Sequence, residues 1–176
     1  MPSPSPNILL VVLDSVRADR VSCTGAGPDV TPHLAALASE GVCFSRATAE
    51  STWTLPTALS LLTGLTPREH QGEIARRLSP DVPTLAELLR EAGYQTFSAT
   101  NNLWVTARSG LDRGFDSRRF PPQDRRMAAS MVANVLQPLG VMRSAGDKLV
   151  GSFRRWLRHA DEPWFALLWL NDAHHP

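Results

Sequence analysis

Cysteine is scarce in this 176-residue chain, with only Cys23 and Cys43. Two are too few for a disulfide framework and lack metal-ligand spacing, so both read as small buried hydrophobes. No apolar run reaches the ~18 residues that cross a bilayer, which excludes a membrane span. Neither sign of charge is in excess. Lys and Arg total 18 against 17 for Asp and Glu, a net +1, and that balance gives no electrostatic case for a nucleic-acid partner. No positive stretch precedes the apolar run at Ile8, and the run stops at Asp14. A secretory signal is therefore not expected, and a cytoplasmic location follows. There are no internal repeats, and no pattern sets an oligomeric state.

What is present reads as a soluble globular chain of one domain to one and a half, 43% hydrophobic and 20% charged. Its 14 prolines fall mostly between apolar segments. Ile8–Leu13 is a continuous aliphatic run that reads as a strand buried on both faces. Val42–Ala47, Tyr94–Ala99 and Trp164–Leu170 read as further strands. Helices are expected at Thr31–Glu40, with Thr31 as cap and Gly41 as stop, at Thr54–Leu62 before Gly64, and at Thr84–Glu91 before Gly93. Residues 101–122 read as irregular. Met127–His159 is helical in pattern with a break near Pro138–Gly140. Strands alternating with helices indicate an α/β fold with a mostly parallel sheet flanked by helices. Such sheets work at the carboxyl ends of their strands, which directs attention to Asp14 and to Asp172–His175. The last strand runs straight into that acidic, histidine-bearing loop, and a fragment is expected.

Asp14 has two readings. A carboxylate at a strand's carboxyl end suits a hard divalent cation; it also suits the cap of a short turn, with Asp19 pairing Arg17 or Arg20 in solvent. Thr54 has two as well. As an N-cap its hydroxyl would bond a first-turn amide, and the same helix end would attract a phosphate or sulfate. Next to a metal that hydroxyl could serve as a nucleophile. His174 and His175 fit a metal, an anion or a solvated tail. The basic stretch Arg143, Lys148, Arg154, Arg155 and Arg158 interleaves with Val150, Phe153, Trp156 and Leu157. It reads as an amphipathic helix packing on the sheet, with a membrane surface as the competing reading.

Taken in order, these pieces resemble the N-terminal part of the sulfatase family in the alkaline-phosphatase-like superfamily. The matching residues are Pro6–Asp14, Arg17–Asp19, Thr31–Leu34 with Glu40–Phe44, Trp53–Thr57 with Ser60–Gly64, and Pro67 with His70. Pro83–Arg90 with Gly93-Tyr94, Gly114–Asp116, Trp164-Phe165 and Asp172–Pro176 complete the series. The resemblance covers essentially residues 1–176 as the N-terminal part of a catalytic domain, with an incomplete alkaline-phosphatase-like fold. It implies metal-dependent hydrolysis of sulfate or phosphate esters, small or polymeric. Asp14 and Thr54 would be metal ligands, and Thr54 would also stand at the nucleophile position. His174 would be catalytic and contact the substrate anion, with Asn101 in the same pocket. The cofactor would be a divalent cation, Ca²⁺ first, with Mg²⁺, Mn²⁺ or Zn²⁺ as alternatives.

The chain departs from the family pattern at three points. Sulfatases carry Cys or Ser in a Cys/Ser-x-Pro-x-Arg motif, oxidised to formylglycine; here Thr54 and Ala58 stand at its ends, so no formylglycine is expected. The frequent second acidic residue after Asp14 is Ser15. A threonine nucleophile tilts the chemistry toward phosphoryl hydrolysis or transfer through a phosphothreonine. The competing reading is a catalytically incompetent, truncated protein of the same fold.

Overall fold

The computed structural model describes residues 5–27, 29–120 and 144–174, with backbone only at position 73. Four strands form one parallel sheet: β1 (Ile8–Leu13), β2 (Gln95–Thr100), β3 (Ser117–Arg119) and β4 (Trp164–Leu170). Their order is β1-β4-β2-β3. The helices are α1 (Pro32–Glu40), α2 (Thr54–Thr63), the single turns α3 (Pro67–His70) and α4 (Gly72–Ala75), α5 (Leu85–Glu91) and α6 (Ala145–Leu157).

β4 lies between β1 and β2 and is buried on both faces, which suits its unbroken apolar sequence Trp-Phe-Ala-Leu-Leu-Trp-Leu. On one face Phe165, Leu167 and Trp169 join Leu55, Ala58, Leu59 and Leu62 of α2, Ala86 of α5, and Leu111 and Phe115. On the other, Ala166 and Leu168 join Phe97 and Ala99 of β2 under Leu149 and Phe153 of α6. The basic helix thus packs its apolar side on the sheet, as its pattern indicates, and Phe97 stacks on Trp156 at 4.8 Å. Ser144 caps α6 by accepting from Asp147 N, and the Asp147 carboxylate accepts from Ser144 N.

β1 departs from expectation. Its residues alternate, with Ile8, Leu10 and Val12 against the core and Leu9, Val11 and Leu13 exposed. The strand stands at the sheet's edge, and α6 packs over β2 and β4 rather than over β1. A hydrophobic run reports apolarity but not which face receives a cover.

The chain divides into two units, one comprising the chain up to Asp14 and from Glu50 onward, the other Ser15–Ala49. The smaller unit contains 3-10 turns at Ala18–Arg20 and Ser22–Thr24, followed by α1. None of its described residues is buried. Ser22 and Thr31 clasp each other: Ser22 N donates to Thr31 Oγ1 at 2.8 Å and Thr31 N to Ser22 Oγ at 2.9 Å. Thr31 spends its side chain on that clasp and makes no cap bond to α1. The strand expected at Val42–Ala47 is absent; Val42 and Phe44 are each 78% exposed, and no strand of their unit pairs with them. Cys23 and Cys43 are exposed rather than buried. β3, inside the stretch read as irregular, is three residues long and begins beside Asp116, whose carboxylate accepts from Thr96 N at 3.0 Å. Residues 121–143, and with them the break expected at Pro138–Gly140, lie outside the described residues.

Candidate active site

The parallel register aligns the carboxyl ends of the three longest strands. Leu13 pairs with Leu170, and Thr100 with Trp169. The residues that leave the sheet there, Asp14, Asn101, Asn102 and Asn171, therefore emerge side by side, at the edge where α/β sheets place their ligands. Asp14 N still donates to Leu170 O at 2.8 Å. At Ser15 the backbone turns through φ 65, a left-handed conformation uncommon for a side chain larger than glycine's.

The Asp14 carboxylate gathers three donors on one oxygen. Oδ2 accepts from Thr54 Oγ1 at 3.1 Å, from Asn102 Nδ2 at 2.9 Å and from Trp169 Nε1 at 2.9 Å. Asn102 and Trp169 are themselves buried. The Asn102 amide is fixed at its other end as well, since its Oδ1 accepts from Trp104 N at 2.9 Å. Asn102 thus presents a donor to Asp14, not a carbonyl ligand.

Thr54 is the first residue of α2. Trp53 holds the cap position with extended backbone and no side-chain cap bond, so the capping role expected for Thr54 is replaced by its hydrogen bond to Asp14. The Trp53 ring meets the Trp104 ring edge-on at 5.6 Å. Ala58, one turn further along, is fully buried in the core.

Asn101 is held differently. Its Oδ1 accepts from Asn171 N at 2.8 Å and its Nδ2 donates to Asp172 Oδ2 at 3.1 Å. Asp172 Oδ1 accepts from Gly146 N at 3.0 Å in the first turn of α6. His174 is exposed in the same loop, and its backbone N–H donates to Asn171 O at 3.2 Å. His175 and Pro176 lie outside the described residues.

The structure brings Asp14 and Thr54 together, places Asn101 in the neighbouring Asp172 cluster, and carries His174 on the loop after β4. Asn102 and Trp169 escaped the sequence reading. Asn102 stands beside Asn101 with nothing in the sequence to separate them, and Trp169 lies within an apolar strand, where the one signal is that a buried indole N–H seeks an acceptor.

As a cation site, Asp14 and Thr54 offer hard oxygen donors of the kind Ca²⁺ or Mg²⁺ takes. Two such groups fall well short of the roughly six to eight oxygens that Ca²⁺ gathers. Among the described residues there is no cluster of three or more His, Cys, Asp or Glu that could hold a metal. The pair fits one corner of a cation site.

The sulfatase family model matches residues 6–176. The chain belongs to the sulfatase family. Among relatives of this sulfatase-family chain, N-acetylgalactosamine-6-O-sulfatase of Bacteroides thetaiotaomicron is 38% identical over 100 residues, 53% of this chain and 20% of that protein. Phosphoethanolamine transferase EptC of Escherichia coli is 27% identical over 143 residues, 74% of this chain and 23% of that one. The phosphonate monoester hydrolase of Agrobacterium radiobacter superposes with a TM-score of 0.72 at 26% identity, covering 94% of this chain and 40% of that structure. A Vibrio parahaemolyticus protein of the alkaline phosphatase superfamily shares the fold with a TM-score of 0.66 at 22% identity, covering 100% of this chain and 43% of that structure. The chain thus spans about a fifth of the curated relatives and less than half of the solved structures. The expected family and the alkaline-phosphatase-like parallel α/β fold both hold.

Proposed function

We propose that this chain carries the nucleophile half of an esterase site that cleaves or transfers the phosphoryl group of a phosphate ester, with sulfate esters as the competing substrate class. The observation that carries this reading is the 3.1 Å hydrogen bond from Thr54 Oγ1 to Asp14 Oδ2 at the N-terminus of the ten-residue helix α2. A hydroxyl there stands where the helix dipole favours an anionic ester. It also has a carboxylate ready to accept its proton.

In this proposal Thr54 Oγ1 attacks the phosphorus as its proton leaves along the bond to Asp14. The Thr54 O–P bond forms, the bond from phosphorus to the alcohol oxygen breaks, and the alcohol oxygen takes up the proton that Asp14 received. Water or a second alcohol then attacks the phosphorus, the Thr54 O–P bond breaks, and the attacker's proton passes through Asp14 back to the Thr54 oxygen. Asn102 and Trp169 keep Asp14 in place through both steps. His174 contacts the anion from the loop after β4, and Asn101 holds that loop against the end of β2. A divalent cation, Ca²⁺ first, would be held by Asp14 and Thr54 and, when bound, would supply charge neutralisation and acidify the hydroxyl. Support comes from the relatives, whose names span sulfate esters, phosphonate monoesters and phosphoethanolamine transfer. Threonine at the nucleophile position favours phosphoryl chemistry within that range.

The test is release of nitrophenol from its phosphate and sulfate esters by the purified chain with Ca²⁺, Mg²⁺, Mn²⁺ or Zn²⁺. Cation-dependent turnover of the phosphate ester that survives Thr54→Ser and disappears in Thr54→Ala is the expected result. Turnover unchanged in Thr54→Ala overturns the assignment. The second reading, a family member without turnover, is favoured by the single carboxylate at Asp14, and it predicts no release under any cation.

A further inference from the structure

We propose that Cys23 and Cys43 are a disulfide site, a covalent staple closing the Ser15–Ala49 unit wherever the surroundings are oxidising. Both thiols are exposed. They lie 20 residues apart in sequence, on the 3-10 turn before α1 and on the segment after it, yet Cys43 Sγ donates to Cys23 O at 3.4 Å. That contact sets the Cys43 sulfur against the backbone of Cys23 itself, so the chain already holds the two cysteines as neighbours. Interaction with the Cys23 side chain raises the Cys43 thiol above its ordinary value.

The unit has a physical use for such a bond. None of its described residues is buried, and its order rests on α1, two 3-10 turns and the Ser22–Thr31 clasp. Small units that cannot bury a core depend on cross-links, and closing a loop of this length removes much of the freedom of the unfolded segment.

The oxidant is a low-molecular-weight disulfide such as oxidised glutathione. The Cys23 thiolate attacks one glutathione sulfur, the glutathione S–S bond breaks, and one glutathione thiolate leaves and takes up a proton. Cys43, its proton held by the contact with Cys23, reacts second. It loses that proton to solvent, attacks the Cys23 sulfur of the mixed disulfide and releases the second glutathione. The chain loses two hydrogens and the oxidant gains two.

Trypsin cuts after Arg20 and Arg46 and finds no Lys or Arg between them, so the single peptide Val21–Arg46 carries both thiols. The full chain is equilibrated with reduced and oxidised glutathione, alkylated, digested and weighed. The expected product is Val21–Arg46 lighter by two hydrogens and unalkylated, formed about tenfold more readily in the folded chain than in urea. Cys43→Ser should stop at glutathione on Cys23. Stable mixed disulfides on the wild-type chain, cross-linked dimers, a doubly alkylated peptide, or equal readiness in urea would each overturn the proposal.

Discussion

The indole N–H of Trp169 donates to Asp14 Oδ2 across 2.9 Å, joining the penultimate residue of β4 to the residue that follows β1 by a side-chain bond beyond the backbone ladder. Trp169 is both a core side chain and a donor to the candidate site. Trp169→Phe keeps most of the packing and removes only the donor. It should destabilise the chain by about 1.5–3 kcal/mol, the cost of a lost hydrogen bond to a charged acceptor, read from urea unfolding. An unchanged midpoint would show that the bond contributes nothing.

Gly146 has a specific reason to lack a side chain. A Cβ there would lie 2.7 Å from Asp172 Oδ2, the carboxylate that bridges the first turn of α6 and Asn101. Alanine ordinarily stabilises a helix interior by roughly 1 kcal/mol over glycine, but Gly146→Ala should lower stability. Combining it with Asp172→Ala should recover the helix gain, so a double-mutant cycle in denaturant will show strong coupling. Additive effects would contradict the contact.

Ala58 stands where the family's motif places an arginine, and here it is fully buried among Leu55, Leu59 and Leu62. Ala58→Arg should cost more than about 3 kcal/mol, because a guanidinium would enter an apolar core without a partner. Loss of cooperative unfolding is the expected readout. A stable, soluble variant would mean that α2 can turn this face outward.

Glu69 closes a capping box at α3, where its carboxylate accepts from Thr66 N at 2.8 Å and from the Thr66 hydroxyl at the same distance. The backbone N–H of Thr66 is the larger cause holding its carboxyl below the ordinary glutamate range. Because the folded value is the lower one, its stabilisation is present above the ordinary range and is lost as pH falls through the folded value. Glu69→Gln should therefore lose part of the chain's acid sensitivity, visible as a smaller shift of the unfolding midpoint between neutral and acid pH.

Elements with local signals were legible in the sequence. β1 and β4 have the bounds that their aliphatic runs suggest, and α2 and α5 stop at or beside Gly64 and Gly93. Tertiary context decided the rest. Val42–Phe44 carries strand-forming residues, but no strand among the described residues pairs with it. β1's apolarity does not tell that its outer face is uncovered, and the cysteines' spacing does not tell that they meet at the surface. At the site, Asp14 and Thr54 were legible because strand ends and helix starts mark themselves. Asn102 and Trp169 were not, because their roles depend on the register between β1, β4 and β2.

The most direct test of the nucleophile assignment is to mix the chain with an aryl phosphate and a divalent cation, quench in acid, and weigh it. A single phosphoryl group on Thr54, absent in Thr54→Ala and formed no more slowly than nitrophenol is released, is the predicted result. Nitrophenol release with no adduct on Thr54, or with release undiminished in Thr54→Ala, would contradict the account.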